Sequence, residues 1–158
     1  MPRDKRKVER RVIKPDAKHN SILVSQFVNK IMLDGKKAVA TKLIYGALDI
    51  VAEKTKKDGI EVFEQALKNI TPILEVKSRR IGGATYQVPI EVKGRRKRHL
   101  PMSWLRDAAR ARKGTSFDVC LANEIVDAYN QAGSAFKKKE DVHKMAEANR
   151  AFAHFARY

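Results

Sequence analysis

The sequence predicts a mainly α fold: a single-domain six-helix bundle with a protruding two-stranded β-hairpin arm and an extended basic N-terminal arm. Apolar residues recur every three or four positions in six segments, which is the period of a buried helix face. One segment around Gly82-Gly83 instead alternates apolar and polar residues, as a β-hairpin does. The length of 158 residues is typical of one domain, and no internal repeat is present.

The N-terminal stretch is predicted to be an arm. Residues 1–19 show no sustained period, contain two prolines and are dense in charge. Such a segment cannot bury enough apolar surface to fold alone, so it orders on a partner or not at all. The remaining boundaries follow from the elements: residues 20–72 form helices one to three, residues 73–93 the hairpin, and residues 95–158 helices four to six.

The first two helices are predicted to form an antiparallel pair. Helix one runs from about Ser21 to Leu33, with Asn20 placed to cap its free N–H groups. Asp34-Gly35 ends it, and helix two follows from about Lys37 to Lys54 after a very short connection.

Helix three opens at a capping box. Asp58 precedes Glu61 by three residues, which is the spacing of that motif. Thr71-Pro72 ends the helix, because the residue before proline is pushed out of the helical region.

The apolar pattern of the hairpin also predicts the length of its loop. Even-numbered positions from Leu74 to Val92 carry most of its apolar residues. A two-residue turn at Gly82-Gly83 would set Val76 opposite Pro89 and split those residues between two faces. We therefore expect a bulged or wider loop of three or five residues.

Three helices complete the bundle. Helix four is predicted from about Pro101 to Arg112, because proline suits a first turn. Helix five runs from Ser116 to about Gln131, with Gly133 closing it. Helix six runs from about Glu140 to Ala156.

The charge is strongly positive and unevenly distributed. The chain carries a net +16, of which residues 77–113 supply +10, residues 1–20 supply +5 and residues 137–158 supply +3. Residues 21–76 and 114–136 carry +1 and −3. A surface this basic repels itself unless it meets a polyanion, with nucleic acid as the first candidate and an anionic membrane surface as the second. Basicity kept only for solubility would not segregate in this way.

Several function classes are disfavoured. No run of about 18 apolar residues could span a membrane, and no apolar stretch behind the N-terminal charges suggests a secretory signal. A single cysteine, Cys120, cannot form an internal disulfide, which favours a reducing compartment such as the cytoplasm.

The motifs of enzymes are also missing from the sequence. No glycine-rich phosphate loop precedes a helix, and no CxxC or HExxH pattern could bind zinc. The carboxylates stand singly, and His143 with Glu147 among cations makes a poor metal site. We expect no catalysis, cofactor, metal or small-molecule substrate.

Cations near helix starts are the first candidates for nucleic-acid contact. The run Arg95-Arg96-Lys97-Arg98 precedes predicted helix four, and Lys137-Lys138-Lys139 precedes predicted helix six, where the helix dipole disfavours positive charge. An external anion would explain such placements. Arg106, Arg110 and Lys113 share one helical stripe. The complete predicted set is Arg3, Lys5, Arg6, Lys7, Arg10, Arg11, Lys14, Asn20, Lys36, Lys37, Lys77, Arg95, Arg96, Lys97, Arg98, Arg106, Arg110, Arg112, Lys113, Lys137, Lys138 and Lys139.

The ribbon tip is a second candidate. Strands of nine residues would reach roughly 30 Å, ending in two cations, an isoleucine and bare glycine backbone. Such a tip suits a nucleic-acid groove or a neighbouring protein, and a solvated hairpin end is the plain alternative. Trp104 could stack on a base, although half-buried packing is the commoner role.

Three motifs carry a resemblance over nearly the whole chain. They are IMLDGKK at residues 31–37, VKSRRIGG and TYQVP at residues 76–83 and 85–89, and KKEDVHKMAEAN with FAH at residues 138–149 and 152–154. In this order they resemble the bacterial-type small-subunit ribosomal protein seven family.

The resemblance implies a monomer within the ribosome. Such a protein binds the 3′ major domain of small-subunit ribosomal RNA and nucleates assembly of the head. It lies near the decoding region, messenger RNA and exit-site transfer RNA. By matching position, the basic set above would face ribosomal RNA. The residues expected near exit-site transfer RNA or an adjacent ribosomal protein are Arg79, Arg80, Ile81, Gly82, Gly83, Arg150 and His154.

The main alternative is a DNA-binding architectural protein that inserts the ribbon into a groove. That reading predicts a dimer with comparable affinity for duplex DNA, which a competition gel would reveal. A membrane-surface role would need a basic amphipathic helix bounded by aromatic residues, and none is evident.

Overall fold

A computed structural model describes residues 12–157 of the protein, and predictions for residues 1–11 lie outside that range. The described chain is mainly helical, as predicted. Its elements are α1 (Ile22–Ile31), α2 (Lys37–Thr55), α3 (Gly59–Ile70), β1 (Leu74–Ile81), β2 (Ala84–Glu91), α4 (Arg96–Ala111), α5 (Phe117–Tyr129), α6 (Gly133–Ala148) and a C-terminal 3-10 helix (Arg150–Arg157). In this part of the chain, none of the helices is both long and apolar enough to cross a membrane.

The core lies between the helices, with α5 against α2, α3 and α4. Phe27 of α1 contacts Phe63 of α3 with ring centroids 5.1 Å apart. Leu105 of α4 and Leu121 of α5 are completely buried. Burial of such side chains contributes roughly 1.5–3 kcal/mol each, so the helix faces predicted from the 3.6-residue period hold the bundle together.

The N-cap of α1 differs from the prediction. Ser21 caps the helix, because its hydroxyl accepts the Val24 N–H. Asn20 lies one residue earlier with φ of 49°, so it shapes the approach to the helix and does not cap it. Asp58 does cap α3 as predicted, with its carboxylate accepting the Ile60 N–H at 3.1 Å.

Part of the predicted N-terminal arm is attached to the bundle. The Asp16 carboxylate accepts a hydrogen bond from the Tyr45 hydroxyl at 2.8 Å. The Lys18 ammonium pairs with Asp49 of α2 at 2.9 Å, and His19 contacts the Tyr45 ring edge-on. Residues 16–19 are therefore fixed on α2, which shortens the segment that could act as a free arm.

The start of α4 was predicted wrongly. The helix begins at Arg96, five residues before the predicted start, and Pro101 lies inside it. Proline removes one intrahelical hydrogen bond and opposes helical geometry at the preceding residue. Burial of Leu100 and Met102 on either side of the proline offsets that cost, so packing overrides the local preference. The basic run consequently occupies the N-cap and first turn.

The turn of the hairpin was also predicted wrongly. Ile81 pairs with Ala84 across a two-residue Gly82-Gly83 turn, and Val76 lies opposite Pro89. Both glycines have positive φ, as a type I′ turn requires. The expectation assumed one buried face, but Val88 and Pro89 are both buried although adjacent side chains point to opposite faces. The root of the ribbon is thus covered on both sides.

The C-terminal region departs from the predicted single helix. α6 begins at Gly133, predicted to close helix five, and ends at Ala148, after which the chain tightens into the 3-10 helix. Phe152 and Phe155 of that helix lie 5.2 and 5.4 Å from the ring of Tyr86 in β2. Met145, expected on the apolar face, is 47% exposed. The aromatic contact holds the C-terminal segment on the ribbon.

His143 links the ribbon to α6 and predicts a pH dependence of stability. Its Nε2 accepts the Ile73 N–H at 3.1 Å, which requires an unprotonated nitrogen. Burial, aided by the charge of Lys139, lowers the pKa of His143. His143 therefore binds a proton more readily in the unfolded chain than in the folded chain, so the free energy of unfolding rises with pH.

We expect the contribution of His143 to the free energy of unfolding to be fully present above the ordinary histidine pKa of about 6.5. The free energy of unfolding should fall as the pH drops below that value. Urea unfolding at a series of pH values checks this. His143→Gln should flatten the dependence, and an unchanged slope in that variant would assign the effect to other groups.

Candidate nucleic-acid interface

A groove between α1 and the first turns of α4 is lined by three cations, two of which belong to the basic run at the start of α4. Its volume is about 650 Å³, within the roughly 300–1,000 Å³ range of small-ligand sites. Two helical stripes face each other across it, and the segment before α1 closes one end. The lining residues are Val12, Ile13, Ile22, Gln26, Asn29, Lys30, Arg95, Arg98, His99 and Met102.

The two stripes follow from helix periodicity. Ile22, Gln26 and Asn29 are spaced i, i+4, i+7 on α1, opposite the face that buries Phe27 and Val28. Arg95, Arg98, His99 and Met102 repeat a similar spacing at the start of α4. Each helix therefore presents one face to the core and its other face to the groove.

The groove is electropositive before any ligand arrives. Burial, and then the charge of Arg106, lowers the pKa of Lys30, with Asp107 partly opposing this. Burial lowers the pKa of His99 as well, and the charges of Lys30 and two α4 arginines lower it further. Within residues 12–157, Arg95, Arg98 and Lys30 make no ion pair. An anion in the groove would relieve this repulsion.

Other predicted α4 cations are engaged within the molecule. Arg96 pairs with the buried Glu75 carboxylate at 2.7 Å, and Arg106 with Asp107 at 2.7 Å. The Arg110 guanidinium donates to the Ile31 carbonyl at 3.0 Å. Lys97 is exposed on the same turn as Arg98. Unpaired charge on α4 therefore lies mainly in its first turn.

Arg112 has a structural role. It is the C-cap of α4, and its Nε donates to the fully buried Glu124 carboxylate at 2.8 Å, with Asp127 as a second acceptor. Burial alone would lower the pKa of Arg112, but the hydrogen bonds to both carboxylates outweigh it and raise the pKa. Lys113 lies after the end of α4, so it does not belong to the helical stripe predicted with Arg106 and Arg110. We expect neither residue to dominate binding.

The turn between α1 and α2 extends the basic surface. Lys36 is the N-cap residue of α2, Lys37 is its first helical residue, and both are exposed. Lys14 and Asn20 are exposed before α1. Arg3, Lys5, Arg6, Lys7, Arg10 and Arg11 lie outside the described residues.

The lysine cluster lies within α6 and not before it. Lys137 and Lys138 are exposed on its second turn. Lys139 instead donates to the Asn69 carbonyl at 2.7 Å and lies 4.9 Å from the centre of the Phe136 ring. Lys139 therefore ties α6 to the end of α3, which leaves two lysines for an external ligand.

The ribbon tip presents the predicted cations away from the groove. Arg80 and the Gly82-Gly83 turn are exposed, whereas Arg79 is half-buried on the face that carries Tyr86. Lys77, lower on β1, lies 4.0 Å from Glu75. Arg150 pairs with Glu147 at 3.3 Å, and His154 contacts the Phe155 ring. The ribbon and tail thus form a second surface.

Sequence reasoning found the arginines of the groove but missed its other polar residues. Gln26, Asn29, Lys30 and His99 were not predicted to take part. Their spacing on one stripe of α1 and one turn of α4 was visible, but which faces meet depends on how the helices pack. Trp104 is half-buried against the core, the commoner of its two predicted roles.

Comparisons with known proteins agree with the predicted resemblance. The family model described as ribosomal protein S7p/S5e matches residues 2–150. Fervidobacterium nodosum has a relative, named small ribosomal subunit protein uS7, that is 58% identical over 96% of this chain and 97% of its own length. Relatives of the same name in Chloroflexus aggregans and Roseiflexus castenholzii are 58% and 53% identical over 95% and 100% of this chain, and 96% and 100% of their own lengths.

Proposed function

The chain belongs to the ribosomal protein S7p/S5e family, and from this premise we propose that it binds the 3′ major domain of small-subunit ribosomal RNA and nucleates assembly of the head. As a family member it is a structural, non-enzymatic protein of the small ribosomal subunit, in the cytoplasm. We further propose that its ribbon tip lies near exit-site transfer RNA, messenger RNA and an adjacent ribosomal protein.

The unpaired cations at the start of α4 are the observation that carries the RNA-binding proposal. Arg95 and Arg98 occupy a position that the helix dipole disfavours, and neither has a carboxylate partner in the described chain. Lys36 and Lys37 add exposed positive charge at the start of α2. A polyanion would satisfy all of them, and folded RNA supplies phosphates at several depths.

Binding to a transcript of the 3′ major domain, measured over a salt series, tests the proposal. Affinity should fall by roughly 0.7–0.9 log units per log unit of salt for each phosphate neutralised. A duplex DNA competitor of equal length should displace the transcript poorly. Equal competition would favour the DNA-binding alternative, and a flat salt response would contradict both.

Deletion of residues 1–11 should weaken binding without unfolding the bundle. These residues carry six cations and two carboxylates, whereas the contacts of Asp16 and Lys18 with α2 remain intact. We expect a lower affinity and a shallower salt slope, with helical circular dichroism unchanged. A truncated protein that keeps the full slope would refute a role for the arm.

Replacement of Arg79 and Arg80 by alanine should separate the two proposed surfaces. Both lie in β1, and neither lines the groove between α1 and α4. We expect near-normal binding to the 3′ major domain but weaker incorporation of the adjacent protein in reconstituted subunits. Equal losses in the two assays would contradict this division. The double variant Lys42→Ala, Lys68→Ala, at exposed positions outside both predicted surfaces, provides the charge-matched control.

A further inference from the structure

We infer that the groove between α1 and α4 holds one nucleotide extruded from the bound RNA, with Gln26 and Asn29 contacting the edge of its base. This inference rests on the proposed RNA binding and deepens it, because it assigns a recognition role to a site otherwise described only by its charge. A basic surface that contacts backbone phosphates alone would need no concavity and no amides.

The depth and composition of the groove fit a nucleotide. Ile22 on α1 and Ile13 in the segment before α1 present exposed apolar surface to the groove, and the core residue Met102 contributes to its lining. Ile22 is 48% exposed, whereas the other apolar residues of α1 are buried or, like Leu23, partly buried against the core. A base placed in the groove would cover this apolar surface.

The two amides supply groups that can read a base. Gln26 and Asn29 make no side-chain hydrogen bond within the described chain, whereas Gln65 and Asn69 on α3 bond to each other. Each free amide offers both donors and an acceptor, which match the edges of bases. Extruded bases in RNA are read in this way on their exposed edges.

The cations stand where the phosphates of the same nucleotide would lie. Arg95 and Arg98 line the α4 side, and Lys30 follows Asn29 on the α1 side. His99 lies between them and can stack on a base or donate to a phosphate. Within the described chain the groove therefore combines apolar surface, amides without side-chain partners and flanking cations. A nucleotide matches each of these with its ring, the polar edge of its base and its phosphate.

Hairpin RNAs that differ by one bulged nucleotide test the inference. We would measure binding of the full-length protein to a perfectly paired stem and to the same stem with a bulged A, C, G or U, at fixed salt. A well-placed amide–base pair discriminates by roughly 5- to 150-fold, so at least one bulged stem should bind about tenfold more tightly than the paired stem.

The double variant Gln26→Leu, Asn29→Leu should reduce this preference to less than about twofold and leave the paired stem unaffected. Ile22→Ser, at an exposed position, should reduce it without touching an amide. Gln65→Leu on α3 is the matched control and should keep the preference. Wild-type protein that binds all stems equally, with normal salt dependence, overturns the inference but not the proposed RNA binding. Failure to bind any RNA, including the 3′ major domain transcript, overturns both.

Discussion

Replacing Glu124 by leucine should lower the free energy of unfolding by about 3 kcal/mol. This is the lower end of the cost of breaking a buried ion pair on one side, because Arg112 is only partly buried and keeps Asp127 as a partner. Its carboxylate is completely buried in α5. One oxygen accepts from the Arg112 guanidinium and the other from the Ala135 N–H at 2.8 Å. The substitution would leave Arg112 with Asp127 alone and the first turn of α6 with an unsatisfied donor. Urea denaturation measures the difference.

A double-mutant cycle with Arg112→Leu separates two contributions of Glu124 to stability: its ion pair with Arg112 and its hydrogen bond to the N-terminus of α6. Removing both charged partners should recover part of the loss, because no uncompensated charge remains in the interior. Glu124→Gln should cost less than Glu124→Leu, since an amide oxygen can still accept the Ala135 N–H. Equal destabilisation by glutamine and leucine would show that only the charge matters, and the capping role would then be wrong.

Glu124 also shows why the start of α6 could not be predicted from local sequence. Ala132, the N-cap residue, provides no side-chain hydrogen bond. The cap is supplied instead by a carboxylate from α5, where negative charge near a helix N-terminus is favourable. An added Cβ at Gly133, whose φ is 85°, would come within 2.9 Å of that carboxylate. A glycine predicted to end one helix therefore begins the next because of a tertiary contact.

Periodicity was sufficient to predict the elements that bury one continuous face. α2 and α3 match their predicted bounds closely, and Asp58 and Thr71 delimit α3 as their chemistry indicates. The failures lie where packing outweighs a local rule. Pro101 sits inside α4 because its buried neighbours continue the helix, and the hairpin keeps a tight turn because its root is covered on both faces.

The candidate site was predictable in its charge but not in its shape. The basic run at the start of α4 stands out in the sequence, and so does the misfit between that run and the helix dipole. Gln26, Asn29 and His99 carry no such signal, because polar residues on the outer face of a helix are ordinary. They become notable only when α1 and α4 bring them to one groove.

Placing cations at the N-terminus of α4, where the helix dipole disfavours them, predicts that the charges that favour RNA binding do not stabilise the free protein. Arg95 and Arg98, near the N-terminus of α4, each cost about 0.3–1 kcal/mol. Lys30 lies in the last turn of α1, where a cation is favourable, but burial and the charge of Arg106 oppose its own charge. A residue kept only for the fold would stabilise the protein. Removal of these charges should therefore leave the free protein equally stable or more stable, which distinguishes a binding role from a structural one.

The triple variant Lys30→Gln, Arg95→Gln, Arg98→Gln should bind the 3′ major domain transcript roughly 100-fold more weakly at 0.1 M salt. Each phosphate contact contributes about 0.7–0.9 log units of affinity per tenfold decrease of salt below 1 M. Three lost contacts therefore weaken binding by about two log units or slightly more at 0.1 M and reduce the salt slope by about 2–3. Filter binding over a salt series measures both quantities, while urea denaturation of the same variant should show no loss of stability.

A second triple variant with the same net charge tests whether the loss of affinity comes from the groove or from the total charge. Lys54→Gln, Lys57→Gln, Lys68→Gln removes three cations from α2, α3 and the turn between them, where charge is nearly balanced along the chain and none of these residues lines the groove. If total charge governs association, both triple variants should lose affinity alike. If the groove holds the RNA, the control should retain most of its affinity and nearly its full salt slope. Weak binding without loss of stability, confined to the groove variant, is the combination that an anion-binding role predicts and that a structural role of these cations does not.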